Sequence, residues 1–312
     1  VLGSTASKPL QKYILRFPKN KMTSIHRTVL LKETIEGLNL KENSVVVDAT
    51  FGGGGHSMEI LKRFPKAKII ALDQDGSVWK KHTGISFHNE NFRNLDKVLN
   101  GGCPTPEVDG IIFDLGLSSD QLENSGRGFS FMKDEPLIMT MKENPLPEDL
   151  TAIDVVNTWG EENLANIIYG FGEERFSRKI VKAIVDARKK KKIETTTELV
   201  EIIGNAVPGK YKNSKIHFAT KTFQAIRIAV NDELGALQMG LEKGFEFLKK
   251  GGRMSVISFH SLEDRIVKRF FKKKAEENLA KLINKKPIVA KLEEIKNNPR
   301  SRSAKLRILE KK

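Results

Sequence analysis

The sequence predicts an α/β protein built on a mostly parallel sheet, with a block of helices inserted before its final strands. Three observations carry that expectation. Val45, Val46 and Val47 form a β-branched run that ends at Asp48 and is followed at once by Gly52 to Gly55 and a short helical pattern. Ile69 to Leu72 repeat the apolar run and stop at Asp73, about 20 residues beyond the glycines, where a βαβ nucleotide fold sets a carboxylate against a ribose. From about residue 122 to 215 strand patterning is absent, and it resumes at Arg253 to Phe259.

Taken in order, residues 1 to 21 carry five basic residues and no acid, and read as a disordered basic arm, an upstream extension or a leader, with Met22 a second candidate start. The folded part opens near His26, and Leu30, Leu31, Ile35 and Leu38 have helical spacing. After the glycines, Met58, Ile60, Leu61 and Phe64 give a helix its apolar face, and Pro65 ends it. A third strand is expected at Ile85 to His88. Val108 to Leu115 reads as a buried strand that delivers Asp114 to the crevice of the glycine loop, because parallel sheets bind ligands beyond their carboxyl ends. Gly116, Ser118, Ser119 and Gln121 follow directly.

Helices are expected at 151 to 158, at 161 to 169, at Glu173 to Arg188, and from a Thr195/Glu198 capping box through Ile203. Another runs from His217 to Asp232 with Phe223, Ile226 and Val230 inward, and one from 233 to 248 ends at Lys250-Gly251-Gly252. The strand Arg253 to Phe259 leads into His260. Ser261 with Asp264 is expected to cap a basic helix from Leu262 to Lys274. A Lys-rich linker follows, and residues 305 to 309 alternate like a last edge strand.

The chain has 312 residues, 39% hydrophobic and 30% charged, as a soluble globular protein does, and no apolar run is long enough to span a membrane. Cys103 is the sole cysteine, which excludes a disulfide framework or a thiolate metal cluster within one chain and suits a reducing compartment. Lys and Arg number 54 against 39 acids, a net charge of +15 that favours a polyanionic partner. Arg188 to Lys192 is either a phosphate contact or a solvated helix end. Arg127, Phe129, Phe131 and Lys133 interleave basic and aromatic groups, as a base-stacking platform does, or else the rings plug the core.

The glycine loop is not the dinucleotide fingerprint, since the third glycine position holds Ser57, and no lysine follows it as in a P-loop. Asp48-x-x-x-Gly52-x-Gly54 instead resembles the first motif of S-adenosylmethionine-dependent methyltransferases, whose loop packs on a methionine moiety without phosphate.

The segments DATFGGGGHS, ALDQD, FDLGLSSDQL, RGFSF, GEERFSRKI, TFQAIRIAVNDELGAL and GGRMSVISFHSLEDRIVKRFF together resemble the bacterial 16S rRNA cytosine-N4 methyltransferase family, from about His26 to the C-terminus. The resemblance implies a Rossmann-like S-adenosylmethionine-dependent methyltransferase with an inserted helical domain. Its division would be a basic arm (1–21), a discontinuous methyltransferase domain (22–121 and 216–312) and a substrate-recognition insert (122–215). The donor would be S-adenosyl-L-methionine, and the acceptor a cytidine in the decoding centre, met in small-subunit rRNA or the small ribosomal subunit. By position, the donor contacts fall on Gly54, Gly55, His56, Asp73, Phe92, Asp114 and Gln121.

Nucleic-acid amino-methyltransferases commonly end the fourth strand with an acid or amide, two prolines and an aromatic. Here Asp114, the Gly116 carbonyl and Ser118 stand in that place, and His260 comes from the next strand tip, so Asp114, Ser118 and His260 are the candidate catalytic residues. Glu135, Ile138, Thr140 and Lys142 replace a glycine, an acid, an arginine and an acid of the family pattern, and His217-Phe-Ala-Thr-Lys departs from its His-Pro-Ala-Thr-Arg. Two other classes fit the same residues: a methyltransferase of DNA or protein, and a non-catalytic RNA-binding assembly factor. The expected location is the cytoplasm, or the mitochondrial matrix if residues 1 to 21 are a leader. Monomer and homodimer both remain open.

Overall fold

The computed structural model describes residues 28–79, 82–101 and 107–312. The expected basic arm, Met22, His26 and Cys103 lie outside the described residues. Strands β1 (Val45–Asp48), β2 (Lys68–Asp73), β3 (Ile85–Asn89) and β4 (Val108–Asp114) come first. Strands β5 (Leu248–Ser258), β6 (Ala280–Leu282), β7 (Ile288–Val289) and β8 (Lys305–Lys311) come last. They form one sheet in the order β3-β2-β1-β4-β5-β8-β6, with β7 also on β8. The first five are parallel, and β8 is antiparallel to β5, β6 and β7. Chain order runs outward from β1 to β3 and then returns to β4 on β1's other side. The gap between β1 and β4 is thus the switch point, where open α/β sheets bind ligands.

Alternate residues of the strands face opposite layers. Val46, Ile69, Ala71 and Ile112 pack beneath α1 (Leu31–Leu38) and α2 (Gly55–Arg63). Val47, Ile111, Phe113 and Val256 pack the other face, against α3 (Leu95–Asn100) and later helices. Beyond β4 the short α4 (Ser119–Glu123) opens a lobe of helices: α5 (Ala152–Thr158), α6 (Glu161–Gly170), α7 (Ser177–Arg188), α8 (Thr196–Ala206), α9 (Gly209–Lys212) and α10 (Thr220–Asn231). Their shared core reaches past residue 215 to take in Phe218, Phe223 and Ile226. The chain then returns through α11 (Glu233–Phe247), β5, α12 (Ser261–Glu276) and α13 (Leu292–Asn297).

Several expected details move. Ile60 is buried as expected, but Met58 is 40% exposed and His56 and Ser57 are buried in its place, because Ser57 Oγ donates to Asp48 Oδ2 at 2.6 Å and turns that face toward the β1 tip. Helix α7 starts at Ser177 rather than Glu173, whose φ is +49°. Strand β5 begins before Arg253: Leu248 pairs with Val108, and the register shifts before Arg253 pairs with Gly110. The cap of α12 is His260 with Glu263, not Ser261 with Asp264. Asp264 is engaged by Arg307, whose Nε donates to it at 2.7 Å. Finally β8 is no edge strand. The Lys-rich linker supplies β6 and β7, which cover it.

Candidate active site

The floor of the crevice is set by the glycine loop. Gly52 and Gly54 have φ of +49° and +73°, and a Cβ on Gly54 would stand 2.6 Å from Phe51 Cζ, so that turn admits no side chain. The loop is tied to both neighbouring strand tips. Gly52 N donates to Asp73 Oδ2 at 2.7 Å, and Asp114 N donates to Thr50 Oγ1 at 2.6 Å. A cavity of about 430 Å³ opens above it, lined by Gly55, His56, Asp73, Phe92, Asp114, Ser118, Gln121 and His260 among others. Gly54 lies beneath them as the N-cap of α2. The structure therefore brings all the candidate donor and catalytic residues to one crevice.

Three carboxylates ring the loop. Burial pushes Asp48 up to about 6, against hydrogen bonds from Ser57 and Thr50 N that pull it down. Burial does the same to Asp73, also about 6, against the N–H groups of Asp75 and Gly52. Each Asp73 oxygen accepts one backbone N–H and keeps a lone pair for a ligand hydroxyl. Asp114 is pushed furthest, to about 8, by burial and then by the charges of Asp48 and Glu263. Its Oδ2 lies 3.6 Å from His56 Nδ1, while Oδ1 is shielded from solvent and has no hydrogen-bond partner. An unmatched carboxylate oxygen is a costly group. It is a ready acceptor for whatever enters.

The other candidates have structural tasks as well. Ser118 and Gln121 cap α4 reciprocally, with Gln121 N donating to Ser118 Oγ at 3.1 Å and Ser118 N to Gln121 Oε1 at 3.0 Å. His260 Nδ1 accepts from Glu263 N at 3.4 Å, and its Nε2 lies 3.2 Å from Glu263 Oε1. Phe92 stands edge-on to Phe113 at 5.5 Å, with its ring on the cavity wall.

Two ion pairs, one half-buried and one buried, escape sequence reasoning. Arg227 grips both oxygens of Glu233 at 2.7 and 2.8 Å across the left-handed Asp232 that separates α10 from α11. Their spacing is not a helical pair, so no local pattern marks them. Arg127 joins Asp75 at 2.5 Å and donates to the carbonyls of Met141 and Lys142, fastening the RGFSF loop to the end of β2. Burial alone would raise Asp75, but hydrogen bonds from Ser77 and Arg127 hold it below the usual carboxylate range. Arg127 is thus a fastener, and Phe129 is a core residue. Phe131 lines the cavity and stacks on His217 at 4.6 Å.

The basic run is partly committed too: Arg188 donates to the carbonyls of Val156 and Trp159, and Lys191 pairs with Glu198 at 2.5 Å. Of the departures from the family pattern, Glu135 accepts from Gly128 N at 2.9 Å and Lys142 pairs with Asp149.

Among the described residues lining the cavity, five acids (Asp73, Glu90, Asp114, Glu233 and Glu263) face only two Lys or Arg side chains, Arg227 and Arg300. Neither comes from the glycine loop or the strand tips beside it. Such a wall suits a nucleoside that carries positive charge and no phosphate. S-adenosylmethionine is such a molecule, with a sulfonium and an ammonium group.

On this strand order, that chemistry defines a class, the S-adenosylmethionine-dependent methyltransferases of Rossmann-like fold. The chain belongs to the MraW methylase family, whose profile matches residues 23–312. It is 48% identical over 309 residues to ribosomal RNA small subunit methyltransferase H of Clostridium botulinum (strain Kyoto / Type A2), covering 92% of this chain and 98% of that protein. The enzyme of the same name from Sulfurihydrogenibium sp. is 49% identical over 291 residues, 91% of this chain and 98% of that one. The crystal structure of an rRNA methylase from Streptococcus thermophilus aligns over 90% of this chain and 92% of its own, at 12% identity and a TM-score of 0.40.

Proposed function

We propose that the protein transfers a methyl group from S-adenosylmethionine to the exocyclic N4 of a cytidine in the decoding centre of small-subunit (16S) rRNA. The observation that carries the chemistry is the unmatched Asp114 oxygen beside the glycine loop. The family and its relatives support the rRNA substrate.

S-adenosylmethionine supplies the methyl group as an electrophile on a positively charged sulfur. Gly54, Gly55 and His56 would receive its methionine end, Asp73 would accept from the ribose, and Phe92 would face the adenine. The target amine is a poor nucleophile because its lone pair is conjugated with the ring. Asp114 accepts a hydrogen bond from that amine and favours its pyramidal, attacking form. As the N–C bond forms and the C–S bond breaks, the nitrogen becomes positive and its proton passes to the Asp114 carboxylate. A group that titrates near neutrality suits this task, being basic enough to accept and acidic enough to release. Ser118 and His260 hold the strand tips, with His260 within reach of the base.

A base inside a helix cannot reach this recess, so the substrate presents its cytidine unstacked. We assign the helical lobe to holding that strand. The test is mass spectrometry of rRNA nucleosides from cells with and without the active protein: N4-methylcytidine should vanish from small-subunit rRNA in its absence. Its persistence would refute the assignment.

A further inference from the structure

The charge of the crevice is opposite to that of the molecule around it. The chain carries +15, yet five carboxylates line the cavity, and the half-buried Arg227 there is held by Glu233 through two hydrogen bonds. A nucleotide has a neutral base and a charged phosphate, so such a recess admits the base and repels the backbone. The phosphates must be met at the mouth.

Arg300 is the other cationic side chain on the cavity wall among the described residues, and 36% of it is exposed. It sits on the short 3-10 turn Pro299–Ser303, whose backbone is fixed in advance. Ser301 is fully buried, and both its N and its Oγ donate to Asn298 O, at 3.0 and 2.8 Å. Arg300 Nη2 donates to Glu123 Oε1 at 2.9 Å, at the end of α4, whose Gln121 and Leu122 line the same cavity. Lys133, two residues beyond the cavity-lining Phe131, donates its Nζ to the Glu123 backbone carbonyl. Two cations from distant parts of the chain therefore meet at one half-exposed residue, Arg300 on the Glu123 carboxylate and Lys133 on its backbone carbonyl, and Arg302 nearby is exposed.

We propose that Arg300 and Lys133 form a phosphate-binding rim for the RNA strand, and that the Glu123 carboxylate holds Arg300 there as a stand-in anion which a backbone phosphate replaces. The inference rests on the RNA-methyltransferase reading and names how its substrate is held. A solvent-reachable ion pair contributes little to folding, so exchanging carboxylate for phosphate disturbs little. Phosphate contacts of this kind fix the register of a strand without reading its sequence. The cytidine next to the bound phosphate is then presented to the recess.

The experiment measures binding of a short single-stranded RNA containing cytidine at several salt concentrations, with S-adenosylmethionine affinity taken by calorimetry on the same proteins. R300Q and K133Q should each weaken RNA binding about tenfold and lower the salt slope by about one, leaving donor affinity unchanged. E123Q should bind RNA several-fold more tightly, because its competing anion is gone. That gain separates a stand-in from a structural pair. Unchanged or weaker RNA binding by E123Q would overturn the proposal, as would a wild-type salt slope in R300Q and K133Q. If R300Q lost donor affinity instead, the arginine would belong to the donor site and the rim would fall. Failure of the wild-type protein to bind any RNA would strike the RNA reading itself, before any variant is made.

Discussion

The sheet tips and the helical lobe satisfy their polar groups in opposite ways. In the lobe, Thr151 with Asp154 and Thr195 with Glu198 close complete capping boxes, Arg188 spends its guanidinium on two carbonyls, and the buried Glu174 takes Tyr211 and Phe176 N. At the tips, three carboxylates crowd one glycine loop, two glycines sit at positive φ, and Asp114 leaves an oxygen unmatched. The lobe is built for stability. The tips hold crowded acids and an unsatisfied polar atom, and these stay there because the surrounding fold is stable enough to bear them.

The sharpest way to test this contrast is to remove the unmatched group. Asp114→Asn should fold normally yet slow single-turnover methylation at saturating donor by about 100-fold or more, the scale of a lost proton acceptor. A wild-type rate would make Asp114 a binding residue at most and shift attention to Ser118 and His260. Next in size is the donor site. Asp73→Ala should weaken S-adenosylmethionine binding by about 1.5–3 kcal/mol, read by calorimetry on folded protein.

Acidity offers a third test. With Asp114 near 8, most of the donor-free protein carries its proton at pH 7, while Asp48 and Asp73, near 6, are mostly ionised. A cationic donor favours the carboxylate, so its binding should expel a proton, and affinity should rise from pH 7 to about 8 and then flatten. Calorimetry at pH 7 in buffers of different ionisation enthalpy reads that proton, and Asp114→Asn should abolish its release. The mildest change falls in the lobe. Thr195→Ala should cost about 1 kcal/mol of stability, with a lower melting temperature and unaltered donor affinity.

The same contrast explains what could be read from the sequence. Val45 to Asp48, Ile69 to Asp73 and Val108 to Asp114 are local runs with abrupt polar ends, so strands and site acids were visible together. Thr195 and Glu198 were visible because a capping box lies within one turn. The antiparallel arm was not, since residues 305 to 309 look the same at an edge as between two neighbours, and β6 and β7 are too short to show a period. The Ser261/Asp264 expectation failed because the helix starts one residue earlier than expected, with His260 and Glu263 forming the cap, and Arg307 draws Asp264 away. Arg127 with Asp75 and Arg300 with Glu123 join residues that only the finished fold brings near.

The inner position of β8 has a consequence in time. The Met254-to-Phe259 stretch, Met-Ser-Val-Ile-Ser-Phe, is uncharged and strongly β-prone, the composition that favours intermolecular strand pairing. In the finished protein β8 covers this edge along Arg253 to Ser258. During synthesis Lys305 follows Ser258 only after roughly 2–10 s at typical elongation rates of about 5–20 residues per second. For that interval the newborn chain exposes its stickiest strand. Rare codons between Ser258 and Lys305 would lengthen it, so aggregation during expression should respond to translation speed in this segment more than in the helical lobe.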